Sequence, residues 1–347
     1  MIFPRSISLS GKSAVWVLTF ALIIIILSRY TGAKSEEVVI YTSVDQVFSE
    51  PILDRFERRS GIKVRAVFDV EAAKTVGLIN RLLAERKRPR ADVFWNSEVS
   101  RTITLQNKNV LQPYFSLQRQ NIPSVFKDND GYWTGFACRA RVFIYNTNML
   151  KKEEVPSSML DLIQPEWQGR FTMAYPLLGT AATHMGALYS HLGKEKVEEY
   201  LKKLEQNKVL IVAGNSVVRD VVAAGQVPLG LTDTDDVLVA MARNKPVDMI
   251  FPDQEGMGTF MIPNTVAMIK DCPHPEQAKI LIDFLLSPEV ESLLARSESA
   301  NLPVRESVQH PGNIPPMKAL KVLQIDYKDV ATYVPISDNF NRRLFSY

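Results

Sequence analysis

The stretch L-T-D-T-D-D, Leu231 to Asp236, concentrates the side chains most able to hold a ligand. Asp233, Asp235 and Asp236 follow the apolar run Val227–Leu231 and precede a helical pattern, Val237–Arg243. That order predicts a strand-to-helix turn, the place where α/β proteins mount ligand contacts. One acid in a first helical turn offsets the positive end of the helix. Three acids repel one another unless something cationic faces them, so contact with a ligand is expected beside plain capping. Asp233-Thr234-Asp235 also has the D-x-D form of Mg²⁺-dependent phosphotransfer enzymes, which makes an extracytoplasmic phosphohydrolase the rival class. Such an enzyme needs a downstream lysine and a second acidic pair, and no G-D-x-x-x-D follows Asp236. G-x-S-x-G, H-E-x-x-H and P-loop motifs are absent as well, and no catalytic residue is expected.

An anionic group would find other partners. Thr180 and Thr183 stand at a predicted helix start, and Arg139 or Arg141 supplies the charge. His184 and His191 lie about 10.5 Å apart along that helix, too far to chelate one ion, and read as surface or partly buried residues. His274 reads as a loop residue without companion ligands. Core packing is the default for Trp95, Tyr145 and Tyr175.

The elements that carry these residues alternate. Strands are predicted at Val38–Tyr41, Ile62–Phe68 and Ala91–Trp95, separated by helices. The first helix buries Phe48, Ile52, Leu53 and Phe56, with Pro51 in its first turn and Gly61 at its end. The second is Lys74–Glu85. This β-α-β-α-β series predicts a parallel sheet. A second series has a strand at Phe171–Ala174, helices at Ala182–Leu192 and Lys194–Gln206, and a strand at Val209–Val212. Two long apolar runs, Phe136–Asn146 and Gly258–Ile269, bracket it. Two lobes joined by paired crossing strands are expected: residues 38–138 plus 265–347 in the first, 139–264 in the second. Residues after Gln309 read as a loosely wrapped tail.

Composition narrows the class. Arg5 and Lys12 precede the apolar run Ala14–Leu27, and Thr31-Gly32-Ala33 offers a small-residue exit. This predicts a secretory signal over residues 1–33, with an uncleaved N-terminal anchor as the alternative. The run is shorter than the roughly 20 apolar residues of a spanning helix. Without residues 1–33 the formal charge falls from +3 to zero. A neutral chain argues against nucleic-acid and membrane-surface binding, and a monomer is expected. The basic stretch Arg81–Arg90 reads as a solvated helix end. Cys138 and Cys272 are expected to be separate thiols rather than a disulfide.

Several segments, in order, are similar to the bacterial extracellular solute-binding proteins of the iron(III) ABC-transport type. They are VVIYTSVDQVFSEPILDRFERRSGIKV from Val38, RADVFW from Arg90, GFACRARVFIYN from Gly135 and PEWQGR from Pro165. AGNSVVRDVVAAGQVPLGL from Ala213, IPNTVAMIK from Ile262 and LIDFLLSPEVESLLA from Leu281 continue the series. The resemblance implies a two-lobed periplasmic binding fold, an interlobe ligand cleft and delivery of the solute to a membrane permease.

It also implies site positions. A His in the turn after the first strand of ferric members corresponds to Asp45 here. An acid after the third strand corresponds to Glu98, one position late. The pair of adjacent tyrosines that grips iron becomes Asp235 and Asp236. An anion site at a Ser/Gly-rich helix start corresponds to Gly179-Thr180-Ala181, a second anion contact to Asn215, and a third, Asn in the family, to Asp233. Asp45, Glu98, Asp235 and Asp236 would form an all-oxygen set suited to a hard cation such as Ca²⁺, Mg²⁺ or Fe³⁺. A bound metal cation is therefore one expectation. The other is an organic solute, an aminoalkylphosphonate or a sugar phosphate, whose cationic or hydroxylated end meets the acids.

Overall fold

The computed structural model describes residues 36–69, 76–312 and 314–345. The expected signal, residues 1–33, and the start of the helix expected from Lys74 lie outside them. No helix among the described residues is long and apolar enough to cross a membrane.

The strands are β1 (Glu37–Thr42), β2 (Lys63–Phe68), β3 (Val93–Asn96), β4 (Leu111–Gln112), β5 (Thr134–Asn146), β6 (Phe171–Ala174), β7 (Leu210–Val212), β8 (Leu229–Asp233), β9 (Val247–Ile250) and β10 (Met261–Ile269). The α-helices are α1 (Gln46–Ser60), α2 (Val76–Glu85), α3 (Ser100–Asn107), α4 (Gly179–Leu192), α5 (Lys194–Gln206), α6 (Asn215–Ala223), α7 (Thr234–Ala242), α8 (Pro275–Leu285), α9 (Pro288–Arg296) and α10 (Tyr327–Leu344). β1 pairs in parallel with β2 and β3, as βαβ units require. β10 returns antiparallel beside β3 and beside the first half of β5. The second half of β5 pairs antiparallel with β8 and β9, and β8 pairs in parallel with β6.

β5 is the strand that passes between the two sheets. Thr134–Ala140 pairs with β10, and Arg141–Tyr145 with β8. Arg139 and Arg141 flank the changeover. β10 starts only at Met261, so the return crossing is made by the chain ahead of it rather than by the long strand expected from Gly258. Each sheet has its own apolar packing. Val38, Ile40, Phe56, Phe94 and Leu281 are buried around the first; Phe143, Trp167, Leu188, Leu201 and Leu229 are buried around the second. Side chains of this size each contribute about 1.5–3 kcal/mol when fully buried.

Two expectations fail here. Pro51 lies inside α1, because that helix begins at Gln46; Gly61 does end it, at φ 74°. The loosely wrapped tail is instead α10, whose Tyr327, Val330, Ala331, Val334, Ser337 and Asn341 are buried. That helix packs so closely on α4 that a Cβ at Gly186 would sit 2.7 Å from the Val330 carbonyl oxygen. His274 lies in a loop as expected, tied to Asp92: its Nδ1 is 3.0 Å from Asp92 Oδ2, and its backbone N–H donates to Asp92 Oδ1. Cys138 and Cys272 are both free and buried, as two separate thiols.

Candidate functional site

Four helices start at one cavity. β1, β6, β7 and β8 end where α1, α4, α6 and α7 begin, and the cavity of about 350 Å³ is lined from those ends. Its wall includes Asp45 and Phe48 of the first sheet's side, and Gly179, Thr180, Gly214, Asn215, Asp235 and Asp236 of the second. This is the carboxyl-end crevice of α/β architecture. α4 and α6 begin without a side-chain cap. The first-turn N–H groups of a helix lack intrahelical acceptors and carry its positive end, so Gly179–Thr180 and Asn215–Ser216 offer donors to an anion.

The acids are arranged differently from the sequence-based expectation. Asp233 is fully buried at the end of β8 and does not line the cavity. Its Oδ1 accepts from Arg141 Nη1 at 2.7 Å; its Oδ2 accepts from Thr180 Oγ1 at 2.7 Å and from Asn215 Nδ2 at 3.0 Å. Burial alone would raise its pKa, but the Arg141 and Arg139 guanidiniums and these hydrogen bonds hold it below the ordinary carboxylate value. The oxygens of Asp233 thus serve its own protein, and it does not cap α7 with its side chain. Thr180 and Asn215 line the cavity, yet Thr180 Oγ1 and Asn215 Nδ2 are turned to Asp233 and Asn215 Oδ1 accepts from Arg141, which leaves their backbone N–H groups for a ligand.

Glu98 is likewise withdrawn. It is 1% exposed, absent from the cavity wall, and receives the N–H groups of Ser100 and Arg101 and the hydroxyl of Thr183. Its one-position offset sends the carboxylate back over the start of α3 instead of into the cleft. Among the described residues, the carboxylates close enough to share a metal ion are Asp233, Asp235 and Asp236, with ligand oxygens within 4.8 Å of one another. Glu98 and Asp45 stand outside that group.

Asp235 and Asp236 sit in the first turn of α7, which begins three residues earlier than Val237. Arg139 Nη1 lies 3.4 Å from Asp235 Oδ2 and 3.3 Å from Asp233 Oδ2, and its other nitrogen donates to the Ser97 carbonyl. Burial disfavours the Arg139 charge, but Asp235, Asp233, Asp45 and Asp236 outweigh it and hold its pKa above the usual value. The acidic cluster thus contains its own counter-cation. Asp236 accepts from Thr232 Oγ1 at 2.8 Å, and Arg219 Nη1 is 3.9 Å from it. Burial, with the charges of Asp235 and Asp233, pushes Asp236 up to about 8.

Arg141 lies beneath the site at 1% side-chain exposure, so of the two arginines expected at an anion only Arg139 reaches the cavity. His184 is buried rather than near the surface, stacked on Phe260 at 5.5 Å between ring centroids. Burial and nearby Arg141 push it down to about 3, so it is neutral. Trp95 is core, stacked on Phe136, while Tyr175 lines the cavity. The sequence reading missed Ser97, Arg219, Arg243 and Glu298, which also line it. Arg219 was within reach of that reading, four residues after Asn215 on one face of a helix.

The profile described as "Bacterial extracellular solute-binding protein" matches residues 91–329. Iron uptake protein A1 of Synechocystis is 28% identical over 295 residues, 80% of each chain. The Fe(3+)-binding periplasmic protein of Serratia marcescens is 25% identical over 85% of this chain and 87% of its own. A putative 2-aminoethylphosphonate-binding periplasmic protein of Salmonella typhimurium is 26% identical over 79% and 81%. In fold, iron-bound HitA from Pseudomonas aeruginosa superposes with a TM-score of 0.80 at 21% identity, covering 89% of this chain and 99% of that one. The Trichodesmium protein in complex with iron and citrate gives 0.77 at 23% identity, with the same coverage. The architecture is that of two-lobed periplasmic binding proteins.

Proposed function

Because the chain belongs to the bacterial extracellular solute-binding protein family, we propose that its cavity captures a small organic solute with an anionic phosphonate or phosphate end and a cationic end. It is a solute-binding protein of the iron(III)-type transport family, not an enzyme. Proteins of this class hand their solute to an ABC permease, and relatives are named as periplasmic. Export to the periplasm and delivery to a cognate permease are part of the proposal.

The charge layout of the cavity carries this reading. The uncapped starts of α4 and α6 present backbone N–H groups that suit a phosphoryl or phosphonyl oxygen. Beside them, the carboxylates of Asp45 and Asp235 suit an ammonium group, with protonated Asp236 as a neutral hydrogen-bonding neighbour. The volume of about 350 Å³ lies within the roughly 300–1,000 Å³ of small-molecule pockets, whereas a bare ion would use a fraction of it. The name of the Salmonella relative points to the same chemistry.

A second reading, a hard cation, draws on the ferric relatives and on the three close carboxylates. The donor set fits it poorly. A hard cation needs several charged oxygens at once, whereas Asp233 is committed to Arg141, Asp235 is shared with Arg139, and Asp236 holds a proton near neutral pH. Thermal-shift titration of the exported protein with 2-aminoethylphosphonate, glucose 6-phosphate and iron(III) citrate separates the readings, because only ligands bound by the folded state raise the melting temperature. A saturable rise with the phosphonate and none with iron is expected. A rise with iron alone would replace this proposal with the second reading.

A further inference from the structure

Glu98 was expected at the ligand, yet it is buried with no ion pair among the described residues. Five neutral donors surround it instead. Oε1 lies 3.0 Å from the Arg101 backbone nitrogen and 3.3 Å from Asn96 Nδ2. Oε2 lies 2.6 Å from the Ser100 backbone nitrogen, 2.7 Å from Ser100 Oγ and 2.7 Å from Thr183 Oγ1. Four of these donors are local, from the strand end of β3 and the start of α3. Thr183 alone comes from the other sheet's side, on α4. Ser100 Oγ and Thr183 Oγ1 are themselves 3.0 Å apart, so the two hydroxyls and one carboxylate oxygen form a closed triangle.

Thr183 is one turn along α4 from Thr180 and the cavity-lining Gly179. The α4 start is therefore held by two buried carboxylates: Asp233 through Thr180, on its own side, and Glu98 through Thr183, from the opposite side. We infer that Glu98 is a positioning residue, which docks the anion-binding start of α4 onto the first lobe through the Thr183 hydroxyl. This rests on the reading of the α4 start as the place where the anionic end of the solute binds. A carboxylate that only capped α3 would be served by the Ser100 and Arg101 N–H groups. The cross-lobe hydroxyl adds a link whose length fixes where α4 begins relative to Ser97 and Asp45. Hydrogen bonds to a charged acceptor are among the stronger ones, and a buried one resists exchange with water.

Thr183→Val tests it, because valine keeps the shape and leaves all four local donors on Glu98. Thr183 is fully buried and does not line the cavity, so the variant removes no direct ligand contact. Affinity for 2-aminoethylphosphonate is measured by calorimetry. The distance between spin labels at Asp54→Cys on α1 and Lys196→Cys on α5, both exposed, is measured without ligand. Native Cys138 and Cys272 are buried and shielded from the label. Expected are a roughly tenfold weaker affinity and a longer or broader interlobe distance, with Thr183→Ser restoring both. Failure of the wild type to bind the phosphonate would count against the ligand reading alone, and the distance measurement would still decide the role of Glu98. An unchanged distance distribution in Thr183→Val overturns the inference, as does unchanged affinity where the wild type binds.

Discussion

Replacing Asp236 with asparagine should change how stability depends on pH. Burial and the charges of Asp235 and Asp233 push the Asp236 carboxyl up to about 8. An aspartate in the unfolded chain titrates near ~3.9. Between those values the folded protein keeps a proton that the unfolded chain has lost, so each rise in pH favours unfolding. For a single group the slope reaches about 1.4 kcal/mol per pH unit. The Asp236 side chain is 15% exposed, and its titration is shared with two neighbouring acids, so about half that slope is expected. Asparagine keeps the acceptor for Thr232 and cannot ionise. Urea unfolding of ligand-free wild type and Asp236→Asn, from about pH 5 to about pH 9, isolates the group by difference. The advantage of the variant should grow from pH 5 to about pH 8 and then level off. A difference that stays constant across this range would refute a protonated Asp236, and with it the claim that the cluster limits its own negative charge.

Other substitutions probe the same architecture. Arg141→Met leaves Asp233 with one weaker cation and should cost about 3–5 kcal/mol in denaturant unfolding, as breaking a buried pair does. Asp235→Asn should weaken binding of 2-aminoethylphosphonate by about 1.5–3 kcal/mol in calorimetry, while inorganic phosphate, which lacks the amine, should bind no more weakly than to wild type. Gly186→Ala places a methyl 2.7 Å from the Val330 carbonyl and 2.8 Å from Val334 Cγ2, and should lower stability by about 1–3 kcal/mol. A melting temperature equal to wild type would show that α10 is not packed on α4 as described.

The fold was legible where local pattern and burial agree. Apolar runs alternating with amphipathic stretches marked β1 to β3 and α4 to β7. α10 was hidden because Pro335 interrupts its pattern, and its helix is stabilised by packing on α4, far off in sequence. At the site, the acidic turn and the helix start at Thr180 were readable from residue type and spacing. Asp233 and Glu98, expected at the solute, instead turn their oxygens to the protein. What turns them inward is Arg141, Thr180 and Thr183, donors brought by other elements, which no local motif announces. The countercharge of Arg139 within the cluster likewise depends on the β5 changeover placing it beside α7.

The central claim is that this cavity receives the anionic end of a solute at the starts of α4 and α6 and its cationic end at Asp45 and Asp235. A crystal structure of the protein with 2-aminoethylphosphonate tests it most directly, with phosphorus located by its anomalous scattering. The phosphonate oxygens should accept from the backbone N–H groups at Gly179–Thr180 and Asn215–Ser216, with the amine turned to Asp45 and Asp235. A metal ion held by Asp235 and Asp236 with Arg139 displaced, or a phosphonate seated against the acids, would contradict it.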